Sequence, residues 1–326
     1  MKSTSPAPVL GACLLAAATL AQAGETTVIQ IGGHDVPVVK GGLYDRFRSN
    51  PPLSAIAAEA PDVDLGWFKG IAKEKVDIGF ESHSPNFYYR NSRVTAVFTA
   101  DLARLRELMP PQVLEQVQPL QVWPGRGVVA LTAYSYHYCD NDSYNEIGLS
   151  VVTSKPGSPN WGPFSLLSQS LSDDFWGYVL KLPVDTELAR VRGVVGYNLP
   201  KWLTRIGYRE DGNHVVVDIF DSDTGKLDVT MEAQKLDVSS SKESLVTNSF
   251  TNLGHQGQLQ TGYTTARQLR HASTSSADAV KLTLTDGSLS RFIASLELGK
   301  MVKYEYVPDF QAALYAPKPL QPAVAK

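Results

Sequence analysis

Lys201 is the residue whose setting points most directly to chemistry. It follows Leu199 and Pro200 and precedes Trp202 and Leu203, so its neighbours are apolar. A lysine among apolar groups is costly to keep charged, and its neutral amine is a nucleophile towards carbonyl carbon. This setting indicates Schiff-base chemistry. The alternative is that the lysine stem lies on the Trp202 ring with the ammonium group in water.

Lys201 also closes a longer pattern that begins at Asp185. The pattern is Asp-x-Glu-x-Ala-x-x-x-Gly, then six residues, then Pro-Lys, and it falls at Asp185, Glu187, Ala189, Gly193, Pro200 and Lys201. Three other segments accompany it: Phe98 to Pro110, Tyr144-Asn145-Glu146-Ile147-Gly148, and Asp223-Thr224-Gly225-Lys226-Leu227. In order and rough spacing, these segments resemble the acetoacetate decarboxylase family over about residues 88–316.

The resemblance implies a reaction and roles for named residues. In that family a lysine forms an imine with a β-keto acid, and the imine is the electron sink for loss of carbon dioxide. Lys201 would be that lysine, and Glu146 the carboxylate that orients the amine, moves protons and helps to place the substrate. Arg90 and Arg93 compete for binding of the substrate carboxylate. The resemblance implies no metal and no organic cofactor.

The chain departs from typical members of the family in the polar residues around the lysine. Those enzymes have a second lysine beside the reactive one, where this chain has Pro200 and Trp202. Val194 and Val195 stand where Arg-Glu is usual, and a second family glutamate is absent near Leu131-Thr132. We therefore expect Trp202 and the two valines to form an apolar wall that contacts the substrate. Activity should be weak on acetoacetate and better on a bulkier, less polar carbonyl compound.

The first residues have the pattern of a cleavable secretory signal peptide. Lys2 supplies a positive charge, residues 9–21 are apolar, and small residues two apart occur at Ala21 and Ala23. This pattern predicts cleavage after Ala23 and a periplasmic or secreted protein. The alternative is lipoprotein processing at Cys13. No apolar run reaches the roughly 20 residues of a membrane-spanning helix, so no membrane span is expected.

Composition narrows the classes of partner. The net charge is −3 and no block of like charge stands out, which argues against a nucleic-acid partner. A small-molecule carbonyl substrate is expected instead. Hydrophobic residues make up 43% of the chain, which is enough for a sizeable core. Once Cys13 leaves with the signal peptide, Cys139 has no cysteine with which to pair.

The pattern of elements predicts an α+β protein with a mainly antiparallel curled sheet or β-barrel and a few packed helices. Strands outnumber helices, and tight turns join them. Helices are expected from Thr99 or Asp101, as a turn at 185–191, and from Ser288. Strands are expected at 94–98, 127–136, 146–153, 175–182, 205–209, 214–220, 226–233, 258–270, 279–284 and 301–307.

Four segments follow from these patterns. They are a signal peptide at 1–23, an N-terminal extension at 24–87, an acetoacetate decarboxylase-like domain at 88–316 and a loose tail at 317–326. The extension has no counterpart in the family and is expected to be a cover or an arm for homo-oligomer formation.

Two functions remain open from the sequence. The first is a Schiff-base lyase, decarboxylase-like, that acts on a keto acid or related carbonyl compound through Lys201. The second is an exported β-barrel that binds an apolar small molecule without catalysis, with Lys201 as a counter-ion. Convergence of Lys201, Glu146 and an arginine in one closed pocket would favour the first.

Overall fold

The computed structural model describes residues 25–320, so the predicted signal peptide lies outside the described residues. The strands of the described chain are β1 (Thr26–Ile31), β2 (His34–Val39), β3 (Glu74–Asp77), β4 (Glu81–Ser84), β5 (Asn86–Asp101), β6 (Arg126–Cys139), β7 (Tyr144–Val152), β8 (Asp174–Lys181), β9 (Ile206–Asp211), β10 (His214–Phe220), β11 (Leu227–Gln234), β12 (Ser244–Leu253), β13 (Leu259–Thr274), β14 (Val280–Leu284), β15 (Met301–Leu314) and β16 (Lys318–Pro319). Its helices are α1 (Leu43–Phe47), α2 (Leu53–Glu59), α3 (Gly66–Lys69), α4 (Leu102–Glu107), α5 (Pro111–Leu114), α6 (Pro163–Leu171), α7 (Glu187–Tyr197) and α8 (Ser288–Ala294).

Seven strands close into a barrel. Around the ring they follow the order β12, β8, β7, β6, β5, β15 and β13, and β13 pairs again with β12. Every neighbouring pair is antiparallel except β12 and β8, which run parallel. The predicted α+β fold with a curled, mainly antiparallel sheet is confirmed.

Strand β12 closes the ring, although the sequence pattern predicts no strand there. Ser, Thr and Asn residues outnumber apolar ones in Ser244–Leu253, which is a composition typical of loops. The strand is stabilised by pairing instead, with β13 on one side and β8 on the other. β13 follows directly in a hairpin, with Leu253 opposite Leu259, whereas β8 is distant in sequence and cannot show in a local pattern.

The main hydrophobic core lies between the barrel and a second sheet of strands β14, β11, β10 and β9. Val94 and Ile147 of the barrel share this core with Val217 and Met231 of the second sheet and with Ile293 of α8. Because alternate residues of a strand point to opposite sides, the barrel strands send their remaining side chains inward.

The N-terminal extension packs on the outer side of α7. Ile31 and Val36 of its first hairpin share a buried cluster with Leu188 and Val191 of that helix. The helix itself continues beyond the predicted turn at 185–191 to its end at Tyr197. The extension therefore covers the helix that precedes Lys201, while its role as an oligomer arm stays a prediction.

The C-terminal tail is attached where the structure describes it. Thr261 and Gln260 of β13 pair with Lys318 and Pro319, so the expected looseness does not hold for these residues. The reason is that β13 begins before the end of β15 is reached, so the backbone groups of Gln260 and Thr261 on that side remain available for pairing. Among residues 25–320, no helix has both the length and the apolarity needed to cross a membrane.

Candidate functional site

The barrel encloses a cavity of about 630 Å³. Much of its wall is made of inward-facing residues two apart along a strand, as the alternation of side chains in a strand requires. Arg93, Thr95 and Val97 of β5 show the pattern, and Glu146 and Gly148 of β7 continue it. Aliphatic and aromatic side chains make up most of the rest of the wall: Tyr88, Val122, Trp123, Ala130, Tyr134, Tyr136, Val151, Val152, Pro163, Leu166, Leu167, Phe175, Trp176, Val179, Leu182, Leu199, Val246, Phe250, Ala266, Val302, Phe310, Ala312 and Leu314.

Lys201 reaches this cavity because the chain turns sharply after α7. The turn is at Asn198, which adopts the left-handed conformation (φ 50°) that asparagine tolerates better than most residues. The following segment then runs beside residues 182–184, where the Leu182 N–H donates to the Pro200 carbonyl at 3.2 Å. This pairing directs the side chain of Lys201 towards the inside of the barrel.

Gly193 leaves the space that the Lys201 stem occupies. A β-carbon at position 193 would lie 2.3 Å from Lys201 Cδ and 2.5 Å from Cε, far closer than such atoms approach. The stem therefore passes directly over the helix at this residue. The glycine of the sequence pattern is explained by this close approach and not by a turn.

The Lys201 amine lies against the Glu146 carboxylate. Lys201 Nζ donates to Glu146 Oε2 at 2.5 Å, and the two side chains are only 8% and 10% exposed. Tyr136 Oη donates to Glu146 Oε1 at 3.3 Å, so both carboxylate oxygens have a donor. The structure thus brings Lys201 and Glu146 together at a site that is largely buried from solvent.

Asp185, the first residue of the pattern, fixes the strand that carries Glu146. The Asn145 backbone N–H and side-chain amide donate to the two Asp185 carboxylate oxygens, each at 2.8 Å. Burial raises the pKa of Asp185, and the hydrogen bonds from Asn145 oppose that rise. Its contacts make Asp185 a residue that positions the strand, not one that reaches the cavity.

Buried tyrosines surround the lysine and glutamate. The Tyr88 and Tyr144 hydroxyls lie 3.1 Å apart, and the Tyr136 ring packs 4.6 Å from each of their rings. Burial raises the pKa of Tyr88, Tyr136 and Tyr144 well above the usual value, and the negative charge of Glu146 adds to the effect. These phenols therefore stay protonated and able to donate hydrogen bonds.

The sequence analysis gave these tyrosines no role, although Tyr144 begins one of its segments, because strand tyrosines usually pack in a core. One available signal was their spacing, since Tyr134 and Tyr136 are two residues apart and so share one face of β6. In the sheet, Tyr134 lies opposite Glu146 and Tyr136 lies opposite Tyr144. Only the register of β6 against β7 shows that this face is the one beside Lys201.

Arg93 is the arginine that the barrel holds inside. It is 8% exposed and lines the cavity with Thr95, to whose hydroxyl its Nη1 donates at 3.0 Å. Its Nη2 lies 2.6 Å from Glu305 Oε2 on the neighbouring strand β15. The guanidinium group is thus engaged within the chain on both of its terminal nitrogens.

Arg90, the other candidate for binding a substrate carboxylate, lies outside the cavity. It is exposed and forms an ion pair with Asp62 of the N-terminal extension. The register of β5 against β6 shifts on both sides of Arg90, so the alternation of side chains is interrupted there and Arg90 points outward. The structure therefore does not bring Arg90 to Lys201.

The expected apolar wall is also made of other residues than those predicted. Trp202 follows Lys201 in an extended segment and so points to the other side, where it packs on the main core near Lys181. Val195 contacts the N-terminal extension, where a β-carbon on Gly32 would lie 2.7 Å from it. Apolar residues of β8, β12 and α6 line the cavity in their place.

Helix α6 borders the opening of the cavity, and the sequence analysis predicts no helix there. Leu166 and Leu167 line the cavity, yet Leu167 is 54% exposed, and Phe164 and Leu171 of the same helix are exposed as well. Exposed apolar side chains on a short helix beside a cavity mark its mouth as a surface fitted to apolar compounds. Serines in the segment hide its helical pattern.

Comparisons with solved structures show the fold. An acetoacetate decarboxylase superposes with a TM-score of 0.50 at 14% identity over 74% of this chain and 91% of the other. The acetoacetate decarboxylase of Legionella pneumophila gives 0.52 at 15% identity over 74% and 89%. The enduracididine biosynthesis enzyme MppR gives 0.51 at 13% identity over 73% and 88%.

The chain therefore has the acetoacetate decarboxylase fold, and the resemblance of the sequence patterns is confirmed at that level. No protein-family model matches the chain, and no curated protein matches it. At these identities the likeness is one of fold, so the chemistry has to be argued from this chain's own residues.

Proposed function

We propose that this protein is a Schiff-base-forming enzyme, a lyase in which Lys201 condenses with the carbonyl group of a small molecule held in the barrel. The observation that carries the proposal is the 2.5 Å contact of Lys201 Nζ with Glu146 Oε2 inside a largely apolar cavity. A nucleophile within hydrogen-bond reach of a base is the arrangement that amine catalysis needs.

The chemistry follows from that contact. Glu146 takes a proton from the Lys201 ammonium group, and the neutral amine adds to the carbonyl carbon to give a carbinolamine. The carboxyl proton of Glu146 then goes to the carbinolamine hydroxyl, which leaves as water as the carbon–nitrogen double bond forms. The resulting iminium group accepts the electron pair of a neighbouring bond when that bond breaks. Tyr136 holds Glu146 in place through its phenol.

A second candidate is binding of an apolar small molecule without catalysis. It is favoured by the ion pair itself, since Lys201 paired with Glu146 is a cation and not a nucleophile until a proton moves. The apolar mouth at α6 suits either function. Covalent trapping separates the two candidates.

The test is reductive trapping of the imine. Protein incubated with acetoacetate or acetylacetone is reduced with borohydride, and the adduct is mapped by peptide mass spectrometry. We expect label on Lys201 and not on Lys303, the other lysine of the cavity wall. Lys201→Arg keeps the positive charge beside Glu146 but cannot form an imine, so its label should disappear. Lys181→Arg, outside the cavity wall, is the matched control.

Label at Lys303, or none with any carbonyl probe, would contradict the Schiff-base proposal. Binding of an apolar ligand in the same samples, followed by quenching of tryptophan fluorescence, would then favour the second candidate. Trp123 and Trp176 line the cavity and report on its contents.

A further inference from the structure

The charged residues of the cavity wall pair with one another. Within residues 25–320 that wall holds five of them, Arg93, Glu146, Lys201, Lys303 and Glu305. Lys201 pairs with Glu146 at 2.5 Å, and Arg93 pairs with Glu305 at 2.6 Å. Lys303 is 41% exposed and lies 3.6 Å from Glu305. Each buried cation therefore already has a carboxylate of this chain beside it.

The Arg93–Glu305 pair is the more informative of the two because it has no evident role in imine formation. The side chains are 9% and 17% exposed, so both ions are largely removed from water. Burial raises the pKa of Glu305, but Arg93 and Lys303 outweigh it and hold the pKa below the usual value. Glu305 is therefore an anion, and it neutralises the guanidinium group from inside the cavity.

Tyr134 lies between the Arg93–Glu305 pair and the Lys201–Glu146 pair. Tyr134 stacks on Tyr136, with ring centres 5.4 Å apart and planes within 9° of parallel. The charges of Arg93, Glu146 and Glu305 all act on the Tyr134 hydroxyl. A ligand bound at Lys201 that extends past Tyr134 would thus meet the Arg93–Glu305 pair.

We propose that Glu305 sets the substrate class: by occupying Arg93, it makes the cavity select aldehydes and ketones that carry no carboxylate. A carboxylate ligand would have to displace Glu305 from Arg93 or lie beside its negative charge, and either would be unfavourable in a cavity of low polarity. A neutral carbonyl compound meets no such penalty. The proposal rests on the Schiff-base function and adds to it the charge of the substrate.

A matched pair of probes tests this selection. 4-Oxononanoate and its methyl ester share one ketone and one alkyl chain and differ in the carboxylate alone. Binding is followed by tryptophan fluorescence, and imine formation by borohydride trapping at Lys201. For the wild type, we expect the affinity and the rate of trapping to be at least about tenfold higher for the ester than for the acid.

Glu305→Gln keeps the shape of the side chain and removes its charge. It should remove the preference for the ester, shifting the ester-to-acid ratio by about tenfold or more towards the acid, because Arg93 is then open to a ligand carboxylate. The double variant Arg93→Gln/Glu305→Gln should not show this shift towards the acid, because the guanidinium group is then absent. Glu243→Gln breaks an exposed pair with Arg267 outside the cavity wall and should leave the ratio unchanged.

The outcomes are distinguishable. A wild type that prefers the acid, or a ratio that Glu305→Gln does not move, overturns the inference about Glu305. Binding of the probes without trapping of either overturns the Schiff-base function alone, and the fluorescence ratio still decides the charge selection.

Discussion

At the scale of single residues, the position of Lys201 depends on an absent side chain. The lysine stem crosses α7 where Gly193 has no β-carbon, and the amine on its far side meets Glu146. A glycine inside a helix usually weakens the helix by roughly 1 kcal/mol relative to alanine. Its presence here is explained by the room it leaves for the lysine.

Gly193→Ala should therefore disturb the site directly. The new methyl group would push the Lys201 stem away, and the loss of a hydrogen bond between charged groups should lower the rate of imine trapping about 10- to 100-fold. The free energy of unfolding should fall as well, because Glu146 loses its buried partner, although the higher helix propensity of alanine offsets roughly 1 kcal/mol of that loss. Trapping kinetics and urea denaturation measure the two effects.

Gly70→Ala is the control for that substitution. Gly70 follows α3 with an ordinary helical φ, and a β-carbon there would meet only the Trp67 carbonyl oxygen at 3.6 Å. Unchanged trapping in Gly193→Ala would mean that the pair of Lys201 and Glu146 does not control the chemistry.

The residues of the site differ in how far sequence could reveal them. Lys201 and Glu146 stood in recognisable patterns, but the sequence left Arg90 and Arg93 as competing candidates. Only the structure shows that Arg93 is the one that lines the cavity. Glu305 could not be predicted, because its meeting with Arg93 depends on how β15 registers against β5, some two hundred residues away in the chain. Trp202 was placed in the wall although adjacent residues of an extended segment face opposite sides.

At the scale of elements, the N-terminal extension is tied to the barrel by a buried ion pair. Lys73 Nζ lies 2.5 Å from Asp140 at the end of β6, and the side chains are 9% and 0% exposed. Burial lowers the pKa of Lys73 and raises that of Asp140, so each ion depends on the other. The Tyr89 hydroxyl also donates to Asp140 at 2.8 Å.

Lys73→Met should leave Asp140 charged and buried, and the expected loss of stability is about 3–5 kcal/mol. Lys73→Met/Asp140→Asn removes both charges and should cost less than the sum of the two single variants. Thermal unfolding gives the double-mutant cycle. Lys75→Met, which breaks an exposed pair with Glu81, is the control and should cost less than about 1 kcal/mol. Additive losses at Lys73 and Asp140 would show that the extension is held by other contacts.

Helix α6 contributes exposed apolar side chains beside the cavity, and we expect them to affect which ligands bind. Leu167 lines the cavity, whereas Leu171 of the same helix is 79% exposed and outside the wall. Leu167→Glu should weaken binding of an apolar ketone such as 2-nonanone about tenfold, because it puts a charge on an apolar wall. Leu171→Glu should bind it like the wild type. Fluorescence titration measures both, and equal loss in the two variants would place the mouth elsewhere.

At the scale of the whole molecule, residues 25–320 contain a single cysteine, Cys139, and so form no disulfide among themselves. Cys139 is buried and donates to the Asp142 carbonyl at 2.8 Å, and burial raises the pKa of its thiol well above the usual value. A buried thiol of this kind is inert towards oxidants. Such a fold is compatible with the export that the first residues predict, although those residues lie outside the described part of the chain.

Export predicts a mature protein that begins at Gly24. Mass spectrometry of protein recovered from the periplasm or medium should show this N-terminus. Ala23→Arg should block processing, because the cleavage site needs small residues at its first and third positions, and Gln22→Glu between them should be tolerated. A lipidated Cys13 would favour the lipoprotein alternative, and an intact N-terminus in the cytoplasm would contradict export.

The attachment of the extension to the barrel should also depend on pH through His83. Burial lowers the pKa of His83 in β4, and the nearby positive charge of Lys73 lowers it further, although Glu81 and Asp140 oppose this. A histidine whose pKa is lower in the folded state stabilises the fold above its unfolded value of about 6.5, and that contribution is lost as pH falls through the folded value. The raised pKa values of Asp140 and Asp142 act in the opposite sense, since folding then favours their protonated forms.

The difference between wild type and His83→Gln isolates the histidine from those aspartates. Stability measured by urea denaturation should fall for the wild type between pH 7.5 and pH 5, and the fall should be smaller in His83→Gln, because glutamine takes up no proton. His34→Gln, at an exposed position in β2, should follow the wild type. Parallel curves for all three proteins would show that the acid sensitivity of the fold arises outside the contact between the extension and the barrel.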